Sequence, residues 1–334
     1  MKILYLPCHS ILEYDEVKLF TEMGHDVYSM DSYRNPNSPI DPKRPPITGG
    51  KYHDYLDRIT SQCSKENLHQ ELIDWADAIY VMHKHEWVIL NWEKMKKKKV
   101  IWRSIGQSIP DQESLLALPR MEGMKIVRYS PREIDIPGYI GHDAIIRFYK
   151  DKDEFACWTG QIPAIITVAQ NMKTPRAKFC GYELFMKITQ NMPRKIFGPG
   201  NEDTSCNGGI LSYEELKAVY RNHLLYFYTG TYPASYTLNF IEALMTGIPV
   251  VAIGATLANI NLWPMQTYEV HEIIKHRVNG FCSDDPDELR SIIDSMFQHP
   301  EIAKAIGEAG RQTAIELFGK DTIQKQWEDF FKTL

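Results

Sequence analysis

The stretch TGTYPASYTLNFIEALMTGIPVVAI, residues 229–253, decides the fold of this chain. An apolar run at residues 224–229 predicts the end of a buried strand, and a polar loop follows it. The pattern then predicts a helix over residues 235–245, after which Gly247 and Pro249 lead into a second buried strand. A strand, a loop, a helix and another strand in this order predict one unit of a parallel α/β sheet.

The start of this predicted helix has the pattern of an anion site. The first backbone N–H groups of a helix lack partners within it, and the helix dipole places about half a positive charge there. Ser235, Tyr236 and Thr237 occupy that end. Glu242 lies two turns beyond Ser235, about 10 Å away, which is close to the reach from a diphosphate to a ribose. The stretch thus predicts a nucleotide-diphosphate pocket; the alternative is an ordinary unit in which Glu242 is solvated.

Composition limits the classes of protein to consider. The chain has 334 residues, 43% hydrophobic and 24% charged, which is typical of a soluble protein of about two domains. Its net charge of −5 argues against a general nucleic-acid binder. The six cysteines are scattered without a Cys-x-x-Cys pair, as in a reduced cytosolic protein. We see no signal peptide and no apolar stretch of about 20 residues, so we expect a cytoplasmic protein without a transmembrane segment.

Strands and helices alternate along the whole chain, and the alternation restarts after a charged break at residues 151–154. This pattern predicts an α/β fold of two Rossmann-like domains facing a central cleft. We place an N-terminal domain at residues 1–152 and a C-terminal domain at residues 153–318. Residues 319–334 are predicted to form a further helix with a buried aromatic face.

The motifs PASYTLNFIEALMTGIPVV, VNGFCSDDPDEL and AIGEAGRQTAIELF resemble the retaining glycosyltransferases of the GT-B fold, family four. In that family the strand–helix unit carries two glutamates. The second contacts the ribose of the nucleotide, and the matching residue here is Glu242. The first contacts the donor sugar, and the matching position here holds Ala234, which is a departure from the family. The resemblance also points to Glu272, in VHEI, as a residue near the nucleotide.

The resemblance further implies a basic pair after the first strand of the C-terminal domain, which neutralises the leaving diphosphate. Here the loop reads QNMKTPRAK, residues 170–178, and it offers Lys173, Arg176 and Lys178. Cations aimed where charge develops lower the barrier, so we take Arg176 and Lys178 as catalytic candidates and Lys173 as a nucleotide contact. A solvated helix turn is the alternative. We predict no metal ligands and no cofactor besides the nucleotide-diphosphate sugar, which is the donor substrate.

The resemblance implies that the N-terminal domain supplies the acceptor side and that the C-terminal domain, residues 153–318, binds the nucleotide-sugar. It also implies that the helix at residues 319–334 crosses back to the N-terminal domain. Ser10 follows the first predicted strand, and His83 follows the strand at residues 78–82. Arg103 and Gln107 follow the strand that starts at Val100. We predict Ser10, His83 and Gln107 as acceptor contacts and Arg103 as a further catalytic candidate. A solvated surface position is the alternative for His83.

The sequence therefore predicts a metal-independent transferase that moves a sugar from a nucleotide-diphosphate donor to a hydroxyl acceptor. The resemblance implies that the transfer is retaining, which means that the anomeric configuration is kept. The acceptor could be a glycan, a small molecule or a modified DNA base. Three alternatives stay open: a phage-type transferase acting on hydroxymethylpyrimidine in DNA, a nucleotide-sugar epimerase of the same fold, and a non-catalytic nucleotide-sugar binder. The sequence specifies neither the nucleotide, the sugar nor an oligomeric state.

Overall fold

The computed structural model describes residues 1–30, 53–106, 108–155 and 157–334. Contacts group the chain into two compact units. One consists of Met1–Phe148 and Ile323–Leu334, and the other of Tyr149–Thr322. The chain thus divides after Phe148 and after Thr322, where the sequence predicted divisions after residues 152 and 318.

The N-terminal unit is built on a six-stranded parallel sheet with strand order β2-β1-β3-β4-β5-β6. All five residues of β3, AIYVM, are buried, as expected for a strand covered on both faces. The strands are β1 (Lys2–Leu6), β2 (Asp26–Ser29), β3 (Ala78–Met82), β4 (Lys99–Arg103), β5 (Lys125–Arg128) and β6 (Ala144–Ile145). The helices are α1 (Ser10–Glu22), α2 (His53–Thr60), α3 (Gln70–Trp75), α4 (His85–Met95) and α5 (Pro110–Met121), with a 3₁₀ helix at Pro131–Asp135.

The C-terminal unit repeats this plan with strand order β12-β11-β10-β7-β8-β9. Its central strand β10 reads HLLYFY and is buried along its whole length. The strands are β7 (Ile162–Val168), β8 (Arg194–Phe197), β9 (Asn207–Gly209), β10 (His223–Tyr228), β11 (Val250–Ile253) and β12 (Phe281–Ser283). The helices are α6 (Ala177–Cys180), α7 (Tyr182–Ile188), α8 (Tyr213–Asn222), α9 (Leu238–Thr246), α10 (Ala255–Ala258), α11 (Val270–Ile273), α12 (Pro286–Gln298) and α13 (Pro300–Phe318).

Each sheet contains one point where the chain reverses its direction of winding. In the N-terminal unit β2 lies on one side of β1 and β3 on the other. In the C-terminal unit β8 lies on one side of β7 and β10 on the other. At such a switch point the loops that follow the two central strands run apart, and they leave a crevice at the carboxyl edge of the sheet. Both crevices are flanked by residues that the sequence analysis singled out.

Local sequence signals predict the helix boundaries unevenly. The Ser212 capping box with Glu215 is confirmed at the start of α8. A single helix over residues 179–191 was wrong, because Gly181 adopts φ +64° and separates α6 from α7. A Cβ at Gly181 would lie 2.8 Å from Cβ of Thr229, so a glycine is required at this contact. Helix α5 and strand β9 carry no signal that the sequence analysis recognised.

The last helix, α14 (Lys320–Phe331), packs aromatic side chains into the N-terminal unit. The rings of Trp327 and Phe331 both lie edge-on to the Phe20 ring, with centroid distances of 5.0 and 5.2 Å. Such edge-to-face pairs add to the burial of apolar area. Among the described residues, no helix is both long enough and apolar enough to cross a membrane.

Candidate functional site

The loop after β10 leads into α9, which begins later than the sequence predicted. Its first residue is Leu238, and Thr237 is the N-cap, with extended φ and ψ of −118° and 165° and no capping bond from its side chain. Ser235 and Tyr236 therefore precede the helix. The Ser235 carbonyl accepts a hydrogen bond from the Glu269 N–H at 3.1 Å. This bond from a distant segment explains why the helix starts at Leu238 and not at Ser235.

The N-terminus of α9 is fixed at the switch point of the C-terminal sheet. The second residue of the helix, Asn239, donates its amide Nδ2–H to the Val168 carbonyl at 2.8 Å. Val168 is the last residue of β7, the strand next to β10 in the sheet. The positive end of the α9 dipole therefore lies between the two loops that part at the crevice, where an anion is favoured.

The loops after β7 and β8 are joined by one buried side chain. Asn201 donates to the carbonyls of Ala169 and Gly198 at 2.7 and 2.9 Å, and its Oδ1 accepts from the Met172 N–H at 2.9 Å. Gly200 adopts φ +75°, and a Cβ there would lie 1.9 Å from Asn171 Oδ1. The two loops thus form one rigid wall of the crevice.

The predicted basic residues lie on this wall. Lys173 forms an ion pair with Asp203, in which its Nζ lies 3.1 Å from Oδ2. The hydrogen bond between them raises the pKa of Lys173. Arg176 is the N-cap of α6, and its Nη1 donates to the Gln170 carbonyl at 3.4 Å. Lys178 is exposed and has no ion pair among the described residues. Arg176 and Lys178 therefore remain the more available cations of the three.

Glu242 is placed in α9 with its side chain buried. Its Oε1 lies 2.9 Å from Nζ of Lys150, and the two side chains are only 3% and 2% exposed. Burial, followed by the nearby Glu242 carboxylate, raises the pKa of the Tyr220 hydroxyl well above its usual value. Glu242 is therefore a member of a buried ion pair and not a solvated surface residue.

Ala234 is buried in the segment between β10 and α9. A cavity of about 10 Å³, enough for about one water, is lined by Thr231, Ala234 and Tyr268 among others. Next to this segment lies Glu269, which is 2% exposed and bonded through its N–H to Ser235. Glu272, the predicted nucleotide contact, is exposed on α11. The Tyr236 ring packs edge-on against Phe318 at 5.3 Å.

At the switch point of the N-terminal sheet, His83 and Ser10 are both buried. His83 follows β3 with φ +60°, and its carbonyl accepts a bond from Trp102 Nε1 at 3.1 Å. Burial, with a smaller contribution from Lys84, lowers the pKa of His83 to about 4. Its Nε2 lies 3.4 Å from the Gln112 amide nitrogen, which also approaches Nδ1 of His85 at 3.3 Å. His83 is therefore neutral near pH 7. Gln107 lies outside the described residues.

Arg103 ends β4 inside the core of the N-terminal unit. Its Nε donates to Glu16 Oε1 at 3.3 Å, and its guanidinium lies 5.1 Å from the ring centre of Phe148. Glu16 also accepts a hydrogen bond from the Tyr80 hydroxyl at 2.7 Å. Arg103 is fully buried, and these contacts give it a structural role at the end of β4.

Sequence reasoning missed four residues that shape the C-terminal crevice. Lys150 and Glu269 are charged and buried, and Asn201 and Asn239 hold loops by amide hydrogen bonds. An asparagine near the start of a predicted helix is a weak signal, and nothing in the spacing pairs Lys150 with Glu242. Among the described residues, no three His, Cys, Asp or Glu side chains are grouped as a metal site requires. All six cysteines are free thiols.

Comparison with known proteins identifies the fold. No family model matches the sequence, and no curated relative matches it. Among solved structures, a sucrose-phosphate synthase from Thermosynechococcus elongatus superposes with a TM-score of 0.70 at 12% identity, covering 100% of this chain and 98% of that one. HepE from Anabaena, solved with UDP-glucose, gives 0.66 at 13% identity and covers 100% of both chains. A glycosyltransferase from Rickettsia africae gives 0.69 at 14% identity, covering 99% of this chain and 98% of that one. The chain therefore has the GT-B fold that its sequence predicts.

Proposed function

We propose that this chain is a glycosyltransferase that moves a sugar from a nucleotide-diphosphate donor to a hydroxyl acceptor. The observation that carries the proposal is the crevice in the C-terminal sheet. There the start of α9 is pinned to the end of β7 by Asn239, beside a loop that bears Arg176 and Lys178. Structures of similar fold were solved with UDP and with UDP-glucose, which supports a nucleotide-sugar as the ligand.

In this proposal the diphosphate binds at the N-terminus of α9, and Arg176 and Lys178 face its negative charge. The start of α9 is held by Asn239 before the donor arrives, so its backbone N–H groups need little reorganisation as charge develops on the leaving oxygen. The Glu242 carboxylate accepts hydrogen bonds from the ribose hydroxyls. The resemblance of residues 229–253 to the family's strand–helix unit supports this arrangement.

We further propose that the transfer retains the anomeric configuration and needs no metal ion. The acceptor oxygen forms a bond to the anomeric carbon, the bond from that carbon to the diphosphate oxygen breaks, and a diphosphate oxygen takes the acceptor proton. Such a reaction requires no protein general base. We also propose that the protein is cytoplasmic, which the six free cysteines support.

Calorimetry with UDP, GDP and ADP, followed by assays of sugar transfer and donor hydrolysis, tests the proposal. We expect one nucleotide to bind and the Glu242→Gln variant to bind it at least tenfold more weakly, since a hydrogen bond to a charged group contributes about 1.5–3 kcal/mol. Glu308→Gln, the same change at an exposed position of α13, should bind like wild type. Retention would appear as an unchanged anomeric configuration in the NMR spectrum of the product.

A non-catalytic nucleotide-sugar binder is the second candidate, and Ala234 favours it. Position 234 offers no carboxylate for a donor sugar, and its side chain is buried. This candidate predicts that the protein binds a nucleotide-sugar but neither transfers nor hydrolyses it with any acceptor class. Turnover of a donor by wild type, lost in Arg176→Ala, would eliminate the binder. Failure to bind any of the nucleotides would contradict both candidates.

A further inference from the structure

Lys150 and Glu242 form a buried ion pair in the C-terminal unit. Nζ of Lys150 lies 2.9 Å from Oε1 of Glu242, and neither side chain is more than 3% exposed. In contrast, the Lys173–Asp203 pair of the same unit has side chains that are 39% and 54% exposed. Lys150 precedes β7, whereas Glu242 lies in the middle of α9. Only the fold brings these two residues together.

Stability alone is a poor explanation for such a pair. The cost of taking two charges out of water often exceeds their attraction, and apolar residues of similar size would serve the core as well or better. A buried ion pair therefore suggests that one of its charges is needed in place. Glu242 is the member that lies in α9, the helix whose N-terminus faces the crevice.

The groups that face the Glu242 carboxylate come from three elements. Lys150 approaches it from the segment before β7, Tyr220 from α8 and Tyr226 from β10. Both phenols are fully buried, and burial is the first cause that raises the pKa of each, so both are neutral at physiological pH. Of these three groups, Lys150 alone is cationic. Without it, burial would favour the protonated form of the Glu242 carboxyl.

We propose that Lys150 is a positioning residue that keeps Glu242 ionised and holds its carboxylate so that it can accept both ribose hydroxyls. The inference rests on the proposed function, because it concerns the nucleotide donor of the same site. An ionised carboxylate is a pure acceptor with two oxygens, whereas the protonated form carries one O–H donor and accepts less well. One oxygen bonded to Lys150 also fixes the rotamer of the side chain. Lys150 thereby sets the preference of the site for a ribonucleotide.

The test compares each of UDP, GDP and ADP with its 2′-deoxy analogue by calorimetry between pH 6 and 9. The proteins are wild type, Lys150→Met, Lys150→Gln, Lys150→Arg and Glu242→Gln. Wild type should prefer the ribonucleotide about tenfold or more at every pH. Lys150→Met and Lys150→Gln should lose this preference at pH 6 and regain part of it towards pH 9, as the carboxyl ionises. Lys150→Arg, which keeps the charge, should retain it. Expressing each result as a ratio cancels the titration of the phosphates.

Other outcomes separate the inference from the proposed function. If wild type binds none of the nucleotides, the donor site itself is wrong. If Glu242→Gln loses the preference but Lys150→Met and Lys150→Gln keep it, the donor site stands and the role of Lys150 is refuted. Tighter binding by Lys150→Met would mean that Lys150 obstructs the ribose, which also overturns the inference. If the Lys150 variants lost the same binding affinity for ribo- and deoxynucleotides at all pH values, Lys150 would have only a structural role, and the inference would be refuted. Lys150→Gln can keep a hydrogen bond to Glu242, so it serves if Lys150→Met does not fold.

Discussion

The neutral imidazole of His83 makes stability depend on pH in a defined window. Its pKa falls from 6.5 to about 4 on folding, mainly because the side chain is buried. Between pH 6.5 and about pH 4, His83 therefore binds a proton in the unfolded chain but not in the folded protein. The free energy of unfolding is therefore unaffected by this group above pH 6.5 and decreases as the pH falls from 6.5 to about 4. The decrease is about 3 kcal/mol, at 1.36 kcal/mol per pKa unit.

Denaturant unfolding of wild type and His83→Asn between pH 4 and 8 checks this expectation. The difference in unfolding free energy between the two proteins should shrink as the pH falls below 6.5. His142→Asn, a substitution at an exposed histidine of the same unit, should leave the pH dependence unchanged. A constant difference between wild type and His83→Asn over the whole range would show that His83 titrates alike in both states.

Arg128 is the centre of a second buried charge cluster, in the N-terminal unit. It binds Glu113 through two hydrogen bonds of 2.7 and 2.8 Å and lies 3.5 Å from Glu133. Arg128→Met leaves both carboxyls buried without a counter-ion, so we expect the unfolding free energy to fall by about 3–5 kcal/mol. Arg277→Met removes an arginine whose side chain is 66% exposed and should cost less than about 1 kcal/mol. Chemical denaturation that gave equal losses for the two variants would contradict this view of the cluster.

At the scale of elements, the wall formed by the loops after β7 and β8 depends on one glycine. Gly200→Ala places a Cβ 1.9 Å from Asn171 Oδ1 and 2.7 Å from its Cγ, so the Asn171 side chain must leave its place between the two loops. We expect nucleotide binding to weaken at least tenfold and the melting temperature to fall. Gly24→Ala is the matched control, since Gly24 has a similar φ of +84° but nothing within 4 Å of the new Cβ. It should incur only the cost of the left-handed backbone, about 1–2 kcal/mol, and bind nucleotide normally.

The loop over residues 170–178 supports a kinetic prediction. If Arg176 and Lys178 stabilise the departing diphosphate, each Ala substitution should lower turnover more than donor affinity, because the charge on the bridging oxygen is largest in the transition state. Lys173→Ala should affect turnover less, since Lys173 is already paired with Asp203. Steady-state kinetics and calorimetry on the three variants measure both quantities. Wild-type turnover in both Arg176→Ala and Lys178→Ala would transfer this role to the N-terminus of α9.

These elements also show how far the sequence alone predicts the fold. Buried strands such as β3 read as continuous apolar runs, and Ala78–Met82 has the predicted bounds. The start of α9 was misplaced because a backbone hydrogen bond from Glu269, which local propensity does not contain, holds Ser235 outside the helix. The split between α6 and α7 depends on a contact of Gly181 with Thr229. Likewise, Glu242 has a recognisable spacing, but its partner Lys150 is 92 residues away in the chain.

At the scale of the whole molecule, topology persists where sequence identity has nearly vanished. Superposition over 100% of the chain at 12–14% identity means that few side chains are shared with the solved structures. What the superpositions share is the fold, which in this chain has two sheets, each with a switch point at which the loops diverge. The chemistry must therefore be tested on the residues of this chain, and Ala234 is a position where it departs from the family resemblance.

Metal dependence is a property of the whole molecule, and the proposed mechanism predicts that sugar transfer or donor hydrolysis survives a chelator. In the proposed mechanism, Arg176, Lys178 and the N-terminus of α9 supply the positive charge that a metal ion would otherwise bring to the diphosphate. Rates measured with and without excess EDTA should agree. If the chelator abolished activity and magnesium or manganese restored it, metal-assisted departure would replace this mechanism. Asp284 and Asp285, which now accept hydrogen bonds from backbone N–H groups at 2.9 Å, would then be the first ligands to substitute, followed by Asp287.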